Sequence, residues 1–346
     1  MNSSIGLQIS DPTYQPAGSI SWAERVGRRF ILDPRDLPFL WLMLSSTVVV
    51  LPLAALLFVR FRWDLAALYA LVNALGFLDR YILMLHNTSH RPLFRPAYRW
   101  MNHYIPWVLG PFFGETPETY FAHHLGMHHP ENNLSGDLSS TMRYQRDRPT
   151  HFLHYFGRFY LTGMIELVVY LRRKGRGRMA RTTVVGEAAF LAVAVGLLWV
   201  NWRASLVVFL APHLVVRFLM MAGNWGQHAF IDPARPENCF VNSITCINTR
   251  YNRRCFNDGY HIGHHLKANR HWTEMPGDFS QNLGAYAREG AIVFEGIDFF
   301  QVWLYLMLGR YRALARRYVP LGEARPTEDE IVALLRSRTR PIPLAA

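Results

Sequence analysis

Residues 37–59 read LPFLWLMLSSTVVVLPLAALLFV, and after Arg60 to Asp64 the chain resumes as LAALYALVNALGFLDRYILML over 65–85, with His86 next. At about 1.5 Å per helical residue, either run is long enough to cross roughly 30 Å of hydrocarbon. The connection between them is so short that the two must form a tight hairpin. A second pair follows the same plan: 183–200 and 206–222 are apolar, and only Asn201 to Arg203 and their neighbours separate them. The expected fold is therefore an all-α integral membrane protein with four transmembrane helices in two hairpins.

The 346 residues are half hydrophobic, include 10 Trp, 16 Tyr and 22 Phe, and carry a formal charge of +12. Because the apolar residues come in long runs, this composition describes a basic membrane protein and not a nucleic-acid binder. Cys239, Cys246 and Cys255 are too few and too irregularly spaced for a disulfide framework or a CxxC site, and are expected to be reduced thiols. Residues 1–36 are polar and contain no short apolar core with a small-residue cleavage site, so a cleaved signal peptide is not expected.

Arginines are dense before the first run (Arg25, Arg28, Arg29, Arg35), in the Arg172 to Arg181 stretch and after the fourth run, whereas the hairpin turns carry only Arg60, Arg62 and Arg203. The positive-inside rule then places both termini and the large middle section in the cytoplasm. The basic stretch reads first as this topology signal together with attraction to anionic headgroups, and alternatively as a docking surface for an acidic carrier protein. Two further segments, Tyr155 to Tyr170 with Arg158 and Glu166 inside it and Ile297 to Leu308 with arginines after it, read as helices lying in the membrane interface. The expected organisation is a cytoplasmic segment over 1–36, one membrane domain over 37–310 and a cytoplasmic tail over 311–346. In that tail, Thr327 and Glu330 form a capping box, and Arg340-Pro341 stops the helix it opens.

Histidines gather at four places: His86 and His90; His123, His124, His128 and His129; His228 with Asn224; and His261, His264 and His265. Each group contains an i, i+4 pair, so the side chains leave one helix face together. Under the expected topology all four groups are at the cytoplasmic end, where they form a histidine-rich cap. Neutral imidazole ligates iron, zinc and copper, and this many rings point to a polynuclear site. Asp137, Asp232, Asp258, Glu115 and Glu118 are nearby in sequence as acceptors for the second ring nitrogens. His103, His151 and His154 belong to no group and are expected at the surface; His271, seven residues after His264, is placed beside the site and not in it.

The ordered set HNTSH, HHLGMHH, NWGQH and HIGHH, positioned against two hairpins, closely resembles the membrane-bound fatty acid desaturase superfamily, the histidine-box non-haem di-iron enzymes. The resemblance covers roughly residues 37–275. It implies His86, His90, His124, His128, His129, His228, His261, His264 and His265 as metal ligands, Asn224 as the holder of a metal-bound water, two Fe ions, and O2 as co-substrate. It further implies an acyl-chain lipid substrate and an external ferredoxin, rubredoxin or cytochrome b5 type electron donor. The sequence departs from many relatives at Asn87, where an aspartate is common, and the doublet His123-His124 leaves the first ligand of the second box open, His124 fitting the pattern better. Desaturation is the expected outcome. Hydroxylation, acetylenation, terminal-alkene-forming decarboxylation and carotenoid oxygenation on the same scaffold stay open, as does a non-enzymatic metal carrier.

One expectation concerns the helices themselves. Asp79 precedes His86 by seven residues and Arg217 precedes Asn224 by seven, so both are about 10 Å deeper than their boxes. A lone charge inside a bilayer costs about 2.5–3.5 kcal/mol on insertion scales, which makes an Asp79–Arg217 salt bridge the expected remedy.

Overall fold

The computed structural model describes residues 7–16 and 18–343; the remaining parts of the 1–36 and 311–346 segments lie outside the described residues. The fold is all-α and membrane-type, with four helices long and apolar enough to cross a bilayer: Pro34–Val59, Trp63–His90, Gly177–Gly196 and Leu198–Gln227. The chain divides into two compact units. One comprises Gln15–Gly126 and Leu167–Phe218; the other comprises the chain up to Tyr14, Met127–Glu166 and the chain from Leu219 onward.

The helical-hairpin unit holds the first three apolar helices and most of the fourth. The second helix runs beyond the hydropathy limits of 65–85 at both ends, and the third begins before 183 but ends at Gly196, short of 200, because backbone hydrogen bonding does not follow where side chains become polar. The second helix therefore continues unbroken through His86 and His90, and contains a π-helical segment, Val72–Leu78. Asp64 opens this helix, accepting from the Leu65 N–H at 2.8 Å where a carboxylate favours the positive end of the helix dipole. The second hairpin turns at Asn201, whose backbone is extended (φ −158°, ψ 97°) between helical neighbours. Asn201 Oδ1 accepts from the Ala204 N–H at 3.2 Å, and Ser205 Oγ returns to the Ala194 carbonyl at 2.6 Å.

The other unit is built round a short parallel ladder that hydropathy does not reveal: β1 (Ile244–Ile247) pairs with β2 (Ile292–Glu295), Ile244 opposite Ile292. Both strands are too short and too buried to show alternation. Helix Phe299–Met307, opened by an Asp298/Gln301 capping box, buries Phe299, Val302 and Leu306 against the ladder while Phe300, Leu304 and Leu308 stay exposed. Tyr155 to Tyr170 is the middle of a single 25-residue helix, Pro149–Arg173, in which Arg158 and Glu166 pair at 2.6 Å with Thr162 between them. The capping box at Thr327 and Glu330 opens helix Glu328–Arg338, as the sequence predicts. That helix is no free tail, since Ile331 and Leu335 pack into the ladder's core.

The expected Asp79–Arg217 bridge does not form. Arg217 pairs instead with Glu187 of the third apolar helix at 2.8 Å, a partner on the neighbouring arm of its own hairpin. Thr116 and Thr119 donate to the same Glu187 oxygen at 2.6 and 2.9 Å, and Arg217 also donates to Thr116 Oγ1 at 3.0 Å. Asp79 accepts from the Arg80 N–H at 2.8 Å. Close approach makes the Arg217 cluster possible: at Gly114 (φ 74°) and at Gly186, a Cβ would run into the carbonyl oxygens of Pro212 and Pro117 respectively.

Candidate metal centre

Helix ends and one turn-rich loop bring four rings together in the ladder unit. His128 ends a π-helical turn, His124–His128; His228 follows the fourth apolar helix; His261 and His265 lie one turn apart on helix His261–Leu266. The ligand-capable nitrogens of these four lie within 4.8 Å of one another. His261 Nε2 is 3.3 Å from His228 Nε2 and 3.0 Å from His265 Nε2.

The far side of two of the rings decides what the near side offers. His228 Nδ1 faces the Asn242 carbonyl oxygen at 3.0 Å and Asn242 Oδ1 at 3.1 Å, and His128 Nδ1 faces Asp137 Oδ2 at 2.7 Å. A carbonyl or carboxylate oxygen accepts, so each Nδ1 carries the proton and each Nε2 presents a lone pair inward. Burial, then the neighbouring His128, pushes the His228 imidazolium down to about 4, and burial followed by His261 and other rings pushes His265 well below its ordinary value. Neutral rings aiming lone pairs at one small volume repel each other unless a cation lies among them. This donor set fits a transition-metal ion, with the second nitrogens fixed as metal-bound histidines require.

Asp137 is held in turn by the Ser139 N–H and Oγ, at 2.8 and 2.6 Å, and by the Asn133 N–H at 3.2 Å. Asn133 donates to Asn242 Oδ1 at 2.9 Å, and Thr141 Oγ1 donates to the His228 carbonyl at 2.8 Å. The loop after His129 thus fixes both His128 and His228. Its Asn132-Asn133 pair takes positive φ (48° and 61°), which Asn tolerates. The Asn-Asn-Leu-Ser-Gly-Asp sequence over 132–137 is a visible turn signal beside a histidine group, and could have identified Asn133; nothing local identifies Asn242.

In the same unit His129 Nε2 lies 2.9 Å from His264 Nε2. In the hairpin unit His90 Nε2 lies 2.8 Å from His124 Nε2, with His86 ring-to-ring with His124 at 4.6 Å. His124, not His123, is the doublet member whose ring joins such a group. Asn224 donates through Nδ2 to the Ser139 carbonyl at 2.9 Å and to Tyr155 Oη at 2.7 Å, leaving Oδ1 as an acceptor. Asn87 donates to the Leu83 carbonyl of its own helix at 2.8 Å.

Of the five acidic residues considered, Asp137 takes the acceptor role toward a grouped histidine. Asp232 meets Arg338 and Arg235, Asp258 accepts from Tyr251 Oη, and Glu118 accepts from Trp107 Nε1. Glu115 is buried, and burial raises its carboxyl to about 7 against the opposing pull of Arg217. His271 caps the short helix Trp272–Glu274 through Nδ1, with the Thr273 N–H at 3.2 Å. His151 accepts from the Gln145 N–H and His154 lies edge-on to Tyr144, while His103 is exposed. The three cysteines are free thiols.

No curated protein and no solved structure matches the chain. The sequence model of one family, described as fatty acid desaturase, matches residues 62–295, a stretch that takes in every histidine group and all but the first apolar helix. With more than half of its length so matched, the chain belongs to the fatty acid desaturase family.

Proposed function

We propose that this membrane protein is an O2-dependent fatty acyl desaturase, introducing a double bond into an acyl chain at two iron ions with electrons from an external donor of ferredoxin, rubredoxin or cytochrome b5 type. The observation that carries this reading, beside family membership, is the convergence of His128, His228, His261 and His265 with the Nδ1 atoms of His128 and His228 tied to acceptors. These four would hold one iron. The resemblance supplies His86, His90, His124, His129 and His264 as further metal ligands. Iron bound there would supply the activated oxygen chemistry needed to remove hydrogen from an unactivated carbon.

The chain's own contribution is orientation and the exclusion of water. Asp137 and Asn242 hold protons on the outer nitrogens of His128 and His228, so that the inner nitrogens remain donors at neutral pH. Asn224 has both donor hydrogens committed to Ser139 and Tyr155, and its Oδ1 is suited to accept from a water on the metal. His128, His228 and His261 are 3%, 0% and 2% exposed, which keeps bulk water from competing for the site. The apolar helices offer an acyl chain a medium of its own polarity. By the distribution of arginines, both termini and the histidine-bearing ends lie on the cytoplasmic side.

The test is fatty-acid profiling of cells expressing the wild type or His261→Ala, with iron measured in the purified proteins. The expected result is about two irons per chain in the wild type, with a new unsaturated chain that disappears in the variant. Hydroxylated, alkyne, terminal-alkene or carotenoid products in place of unsaturation would move the reaction to another outcome on this scaffold. A wild type that binds no iron would overturn the reading.

A further inference from the structure

Asp11 belongs to a segment with no functional signal in the sequence, yet it is buried, 5% exposed. Its Oδ2 accepts three hydrogen bonds from three positions of one distant stretch: the Asn248 N–H at 2.7 Å, Asn252 Nδ2 at 2.9 Å and Tyr260 Oη at 2.6 Å. Its neighbours are stitched to the same stretch. The Ser10 N–H donates to Asn248 Oδ1 at 2.7 Å, Asn248 Nδ2 donates to the Gln8 carbonyl at 2.8 Å, and Asn257 Nδ2 donates to the Pro12 carbonyl at 2.7 Å.

That stretch is the path from β1 to His261. Asn252, oriented by Asp11, also donates to the Cys246 carbonyl and accepts from the Gly259 N–H, both at 2.9 Å. The Gly259 carbonyl accepts from the Cys246 N–H at 2.8 Å. Gly259 is clamped so closely that a Cβ would run into Cys246 O and Asn252 Oδ1. The next residue, Tyr260, is 1% exposed and caps the helix that begins with His261. Two hydrogen-bonded routes therefore leave one carboxylate oxygen, through the Tyr260 hydroxyl and through Asn252 to Gly259, and meet at the backbone immediately before His261.

We propose that Asp11 is a positioning residue for His261: a carboxylate delivered by the N-terminal segment sets the start of helix His261–Leu266, and with it the distance of His261 from the other donors. The inference rests on the metal-binding reading above. Removing the carboxylate leaves three donors unsatisfied at this joint, those of Asn252 and Tyr260 buried, and the helix start can shift to find partners. Residues that orient ligands typically change metal affinity about 10- to 100-fold when lost.

The test uses full-length protein in detergent, stripped of metal and titrated with cobalt(II), whose visible bands report the ligand field. Asp11→Ala is expected to weaken one of two cobalt ions about 10- to 100-fold and to shift its bands, leaving the second ion unchanged. Asp11→Asn keeps the accepting oxygen and should restore most of the affinity and the wild-type bands. Tyr260→Phe keeps the ring's packing, removes one of the two routes and should weaken the same ion, which holds the test open if Asp11→Ala fails to fold. Wild-type affinity and bands in Asp11→Ala or in Tyr260→Phe would overturn the inference while leaving the metal site standing. A wild type that binds no cobalt would remove the metal reading itself.

Discussion

Two buried polar sets can be compared in this molecule: the four rings of His128, His228, His261 and His265, and the Arg217, Glu187, Thr116 and Thr119 cluster among the apolar helices. Both are shielded from water and both draw residues from distant parts of the chain. The second set contains its own cation: every contact with Glu187 is made by a donor, and Arg217 neutralises it at 2.8 Å. The first set contains none, and the hydrogen bonds to Asp137 and Asn242 ensure that His128 and His228 turn acceptors inward. A buried anion met by its own counter-charge marks a structural network, whereas a surplus of inward lone pairs marks a place for a metal ion.

Substitutions should separate the two sets. Arg217→Ala leaves Glu187 buried without its counter-charge and is expected to destabilise the protein by about 3–5 kcal/mol. Adding Glu187→Gln should recover much of that loss, and iron per folded chain should not change; thermal unfolding in detergent and metal analysis read both. If the single variant lost iron while keeping its stability, the distinction drawn between the sets would fail.

Glu115 sharpens the comparison on the structural side. Its carboxyl, raised by burial from 4.5 to about 7, is neutral in the folded state where the unfolded chain would already have ionised. The contribution of Glu115 to stability is therefore full below pH 4.5, falls as pH rises to about 7 and is level above that. Glu115→Gln should flatten this slope and raise stability at pH 8 by about 3–4 kcal/mol, since each tenfold change in proton affinity between the folded and unfolded chain is worth about 1.4 kcal/mol. Melting midpoints measured from pH 4 to 8 check it, and an unchanged slope in the variant would sink the assignment.

The smallest effect is the most specific. Asp137→Asn keeps the shape of the loop but removes the negative charge and one of the two accepting oxygens, which weakens the hold on the proton at His128 Nδ1. Iron affinity should drop about 10- to 100-fold with little change in unfolding temperature. Full affinity in Asp137→Asn would mean that the inward lone pair of His128 is not set from this side.

Much of the fold was legible because hydrocarbon imposes a length and a composition that few other environments demand. The four apolar runs, the turns after Val59 and at Asn201 and the capping box at Thr327 all follow from local chemistry. The ladder of β1 and β2 did not, since two four-residue buried strands carry no periodic signal. The Asp79–Arg217 expectation reasoned correctly that Arg217 needs an anion and chose it by depth along the chain; helix packing supplied Glu187 instead. The histidine groups were legible from i, i+4 spacing; Asp137 was one of five acidic candidates near them, and the fold singles it out. Asn242 lies only 14 residues from His228, which it orients, but no local pattern marks it until the chain is folded.

From the sequence alone come the membrane class, the histidines gathered at helical spacing and the resemblance that the family match bears out, because each depends on neighbours a few residues apart. Tertiary structure alone decides which nitrogen of His128 and of His228 carries the proton, which anion neutralises Arg217, and that Asp11 reaches the joint before His261. These are contacts between groups that the backbone brings within about 3 Å only after packing, and hydrogen bonding and charge pairing depend on that distance and not on separation along the chain.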